Sequence, residues 1–83
     1  MTVDQLRTAF QARPFIPFVM HLADGRNLPV SSPEFILTTP SGRTVAVAQP
    51  DDTVHVIDIL MVTDLEFQSA ENGRRKRGRR EGR

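Results

Sequence analysis

Seven of the eleven Lys and Arg residues of this 83-residue chain fall in its last eleven positions: Arg74, Arg75, Lys76, Arg77, Arg79, Arg80 and Arg83. Guanidinium groups present planar forks of N–H donors that match phosphate oxygens, so the chemistry open to this run is capture of a polyanion, DNA or RNA. Only Glu81 opposes these cations, and residues 73–83 carry a net +6. Residues 1–72 hold four arginines against nine acids, a net −5, so the overall charge of +1 conceals two opposed segments. An acidic body repels a polyanion, and any such binding belongs to the tail. With all seven cations on a duplex, log affinity against log salt would approach a slope of roughly −6. The competing reading is a solvated charged extension that lies in water or against the acidic body of its own or a neighbouring subunit.

The remaining candidate residues offer less. Two histidines, His21 and His55, without a third clustered ligand make a poor zinc site, and they read as surface residues on strands. Ser31, Ser32 and Ser41 sit beside Pro or Gly in turn-like segments, where a hydroxyl satisfies backbone groups, and no nucleophile-elbow spacing surrounds them. Gly25 and Gly42 are single turn glycines, unlike a phosphate loop, and Asp51-Asp52 is ordinary turn chemistry. There are no cysteines, which excludes disulfides, thiolate metal sites and a cysteine nucleophile. The expectation is a non-enzymatic protein with no catalytic residues, no metal and no cofactor.

The elements that must carry these residues follow from periodicity. Thr2 and Gln5 form a capping box, and Val3, Leu6, Ala9 and Phe10 make one apolar helical stripe that Pro14 ends near Ala12. From Phe15 the period becomes two, with Ile16, Phe18, Met20 and Leu22 alternating against Phe15, Pro17, Val19 and His21. If Phe18, Met20 and Leu22 face the core, Phe15 faces outward, under cover of the helix through Leu6 and Phe10. Asp24-Gly25 predicts a hairpin, and Pro29 in the returning strand marks an edge or a bulge. Beyond Ser31-Ser32-Pro33, Phe35, Leu37 and Thr39 are expected on one face of a third strand. Val45 and Val47 lie in a fourth strand, and Val54 and Val56 share a face opposite Thr53, His55 and Ile57. The run Asp58–Val62 reads as one 3₁₀ turn feeding a last strand through Leu65 and Phe67. After Ala70 the apolar residues stop, and the tail cannot offset the entropy of ordering.

The expected fold is mainly β: a small antiparallel SH3-like or Sm-like barrel of five or six short strands, closed to protect its edges, with an N-terminal helix. Residues 1–70 form this domain, and residues 71–83 a disordered Arg-rich tail. The first twenty residues contain no apolar stretch long enough for a signal peptide, and no window approaches a membrane span, so no membrane partner and a cytoplasmic location are expected.

The phrases HLADGR (21–26), SPEF (32–35), PSGRTVAV (40–47) and IDILMVTDLEF (57–67), opened by VDQLR, resemble a family of short uncharacterised bacterial proteins that keep them in this order. The resemblance covers residues 2–67, excludes the tail, and implies a shared fold and a bacterial source but no activity. In element order alone the chain is similar to the Sm-like barrel, from which no RNA-contacting residue carries over. Two functions remain in view. One is an accessory or regulatory protein that contacts nucleic acid through the tail. The other is a self-assembling (homo-oligomeric) or protein-interaction module that works through the barrel.

Overall fold

A computed structural model describes residues 1–67. Helix α1 (Val3–Gln11) starts at Thr2, whose hydroxyl accepts from the Gln5 amide while the Gln5 side chain accepts from the Thr2 amide. This is the capping box read from the sequence. It satisfies two of the amides that a helix start leaves without partners. Leu6 and Ala9 are buried on the inner face of α1, with Phe10 half-buried beside them. Arg7 ties the helix to the sheet below, donating from Nε to Thr38 Oγ1 (3.0 Å) and from Nη2 to the Thr39 carbonyl (3.2 Å).

Six strands follow: β1 (Phe18–Leu22), β2 (Asn27–Val30), β3 (Ile36–Thr38), β4 (Thr44–Ala48), β5 (Val54–Asp58) and β6 (Val62–Phe67). They pair as two antiparallel three-stranded sheets, β2-β1-β6 and β3-β4-β5. The expected closed barrel is therefore corrected: the ladder breaks at two corners. Between β2 and β3, Ser31–Phe35 spend their backbone on a 3₁₀ turn, Pro33–Phe35, so β2 never runs on into β3. Between β5 and β6 a second 3₁₀ turn, Ile59–Met61, is capped by Asp58, whose carboxylate accepts from the Leu60 amide. That second turn joins the sheets. The Ile59 amide donates to the Arg43 carbonyl beside the second sheet, and the Met61 carbonyl accepts from the Ala23 amide beside the first.

The core lies between the sheets and under α1. Phe18, Met20 and Leu22 from β1 meet Leu28 and Val30 from β2, Val45 and Val47 from β4, and Val62 from β6, all buried as the period-two pattern requires. Pro29 sits on β2, an edge strand, where its missing N–H costs no ladder bond. The Asp24-Gly25 hairpin forms with Gly25 at φ +94°, and Gly42 takes φ +77° in the Pro40–Arg43 turn.

Three expected positions differ. Ile16 does not join the alternation; it is 44% exposed, because β1 begins only at Phe18, after Pro17. Phe15 is half-buried rather than outward, packing against the core with its ring 5.9 Å from that of Phe18. Phe35, expected in the third strand, lies in the turn before it; Ile36 is buried, while Phe35 and Leu37 face out together. The turn at Pro33–Phe35 absorbs Phe35, so strand alternation starts afresh at Ile36. On β5 the expected alternation holds, with Ile57 inward and Val54 and Val56 outward.

Candidate functional site

Arg74, Arg75, Lys76, Arg77, Arg79, Arg80 and Arg83 lie outside the described residues, which end at Phe67 on β6. The described domain does show what the tail is attached to. All eight acids among the described residues are exposed, and no charged residue is buried. Three of the four arginines are engaged on the domain itself. Arg7 holds Thr38 and Thr39, Arg13 donates to the Ala12 carbonyl (2.8 Å), and Arg26 pairs with Asp24 (2.8 Å). The Arg26 backbone amide and then its guanidinium draw the Asp24 carboxyl below its usual range. Residues 1–67 thus carry eight exposed acids against four arginines, of which only Arg7 is half-buried.

The two histidines do not come together. His55 is half-buried on β5, whereas His21 stands on the outer face of the first sheet. The antiparallel register sets Asn27 of β2 directly opposite His21, and β6 brings Glu66 to its other side. His21 Nδ1 lies 2.7 Å from Asn27 Oδ1 and Nε2 lies 2.8 Å from Glu66 Oε1. Two oxygen acceptors around one ring favour the imidazolium, which donates to both. The pKa of His21 is accordingly raised, first by the Glu66 hydrogen bond and then by that from Asn27. A carboxylate on one ring nitrogen is the base-and-orienter half of a triad, but here Asn27 occupies the nitrogen that would face a nucleophile. The nearby Thr63 hydroxyl is spent on the His21 carbonyl (3.0 Å). This cluster is a cross-strand clamp between β2, β1 and β6. Among the described residues no three metal-ligating side chains come together, and no helix is long and apolar enough to cross a membrane.

Two concavities stand out on the surface of the described residues. One, of about 420 Å³, runs between α1 and β6 and is lined by Gln5, Thr8, Ala9, Thr63, Asp64 and Phe67, the last described residue. The other, of about 220 Å³, lies on the outer face of the second sheet, among Glu34, Phe35, Leu37, Ala46, Ala48 and Val54. Its floor and walls are apolar. Leu37, Ala46 and Val56 stand in one row across β3, β4 and β5, and Ala48 is paired with Val54 beside it. Val54 and Val56 are 59% and 68% exposed and Leu37 is 57% exposed. This face escaped the reading of the sequence, though a signal was present. TVAVA (44–48) is apolar at four consecutive positions, and VHVI (54–57) has valines on the face opposite its buried isoleucine. A strand apolar on both faces is ordinarily covered on both.

Comparison of the chain with protein-family models, with curated proteins and with solved structures finds no match in any of the three.

Proposed function

We propose that this chain is a small, non-enzymatic accessory or regulatory protein that contacts DNA or RNA through Arg74, Arg75, Lys76, Arg77, Arg79, Arg80 and Arg83. The observation that carries the reading is the division of charge, +6 in residues 73–83 against −5 in residues 1–72. It is supported by the balance of the described residues, eight exposed acids against four arginines, which disfavours a polyanion on the domain. The element order, with a 3₁₀ turn before the last strand, supports reading the domain as an open variant of the SH3-like or Sm-like arrangement. The resemblance to short bacterial proteins supports a bacterial source.

Binding of the full chain to a duplex DNA and to a single-stranded RNA oligonucleotide, each across a salt series, tests the reading. Affinity is expected to fall steeply with salt, with a slope approaching roughly −6 on the duplex. Sequence preference is expected to be weak, because an Arg-rich segment without aromatic residues offers no stacking platform. Replacing Arg74, Arg75, Arg77, Arg79 and Arg80 with Gln abolishes binding. Tight binding that survives those replacements, or that ignores salt, moves the site onto the β domain.

A further inference from the structure

We infer that the outer face of the β3-β4-β5 sheet is a homodimer interface, in which two copies of this chain pack sheet against sheet. The face is built as two ridges and a furrow. Phe35 and Leu37 form one ridge, Val54 and Val56 the other, and Ala46 and Ala48 the floor between them. Adjacent strands lie about 4.8 Å apart, so the ridges stand about 10 Å apart, which is room for one row of branched side chains. The β5 ridge of one copy fills the alanine furrow of the other, and a two-fold axis makes the contact reciprocal. Ridge and furrow on one surface make that surface complementary to itself.

Charge and area point to the same occupant. The domain exposes eight acids, yet those of this face, Glu34 and Asp58, stand only at its ends, and the ridges and furrow between them are uncharged. An identical copy meets no unpaired charge there. The exposed apolar area is on the order of 400 Å² on each copy, larger than scattered surface hydrophobics account for. A pair of copies then buries about 800 to 1,000 Å², below the roughly 1,200 Å² of stable specific interfaces and in the class of weak, transient ones, so the expected dimer is weak and concentration-dependent. Residues 68–83 contain a single apolar residue, Ala70, and so offer no apolar segment for the furrow.

Sedimentation equilibrium of the full chain, from about 10 μM to about 1 mM and at high salt to screen the tail, measures this directly. The mass is expected to rise with concentration from 9.3 kDa toward twice that value. Val56→Lys and Ala46→Glu, each with the parent's circular dichroism and cooperative melting, are expected to remain single copies. Mixing the two variants restores the dimer, because the ammonium of one ridge enters the furrow that holds the other copy's carboxylate. Misfolded variants cannot produce that rescue. A parent that stays at one copy throughout, or variants that both keep the parent's mass, overturns the interface. Variants that dissociate but do not recover on mixing overturn the ridge-in-furrow packing.

Discussion

A Cβ placed on Gly42 would stand 2.8 Å from Cγ1 of Val3, so the turn between β3 and β4 touches the first residue of α1 with no room to spare. Gly42 also sits at φ +77°, a conformation that side chains disfavour. Gly25, in the β1–β2 hairpin, has φ +94° but open space around it. The two glycines therefore separate conformational strain from steric contact. Gly25→Ala is expected to cost about 1 kcal/mol, the left-handed penalty alone. Gly42→Ala adds a clash with a β-branched side chain on the helix and costs at least about 1 kcal/mol more. Urea unfolding of both variants reads the difference, and Val3→Ala in the Gly42→Ala background recovers part of it.

The clamp of Glu66, His21 and Asn27 makes stability depend on pH near neutrality. The raised pKa means that the folded protein holds the His21 proton more tightly than the unfolded chain does, whose histidine titrates near 6.5. The contribution is complete below 6.5 and is lost as pH rises through the higher folded value. The melting temperature should thus fall more between about pH 5.5 and about pH 8.5 in the parent than in Glu66→Gln, where the carboxylate is gone. Parallel curves for parent and variant would show that the clamp does not couple to folding. At the acid end the sign reverses. Asp51, lowered by hydrogen bonds from Thr53, contributes above the ordinary carboxylate range and loses that contribution as pH falls.

The register of β3 gives a third expectation. Ile36 is 6% exposed and its neighbour Leu37 is 57% exposed. Ile36→Ala should cost about 2–5 kcal/mol, a large share of the stability of a domain this small. Leu37→Ala should change the free energy of unfolding by less than about 0.5 kcal/mol in dilute solution. The reverse ranking would place Leu37 inward and Ile36 outward on β3.

What the sequence made legible was local. The capping box at Thr2 and Gln5, the Asp24-Gly25 hairpin, Pro29 on an edge and the 3₁₀ turn at Ile59–Met61 each rest on residues a few positions apart. Which face of β3 turns inward, and that Phe35 lies outside the strand, could not be read because a 3₁₀ turn at Pro33–Phe35 resets alternation without leaving a trace in the hydrophobic pattern. Closure was misjudged for a related reason: whether β2 continues into β3 depends on how Ser31–Phe35 spend their hydrogen bonds, which composition does not reveal. The His21 clamp joins residues 45 positions apart and needs the β1–β6 register before it can be seen. The outer apolar face needed the same register to place Leu37, Ala46 and Val56 in one row.

The tail and the domain should separate cleanly. Among the described residues, the buried core falls between Leu6 and Val62, and the partly buried side chains packed on it are Met1, Phe10, Phe15 and Leu65. Phe18, buried at the centre, measures how much the packing matters: Phe18→Ala should cost about 3–5 kcal/mol and leave the protein unfolded or close to it. Residues 73–83 include none of these groups, and removing them takes away seven cations and one acid. The truncated chain should keep the parent's far-ultraviolet spectrum and melt cooperatively within a few degrees of it. It should also reverse its migration in an electric field at neutral pH, from a net charge of +1 to −5. Loss of cooperative melting on truncation would make the tail a structural element, and the charge division could then no longer be read as a division of labour.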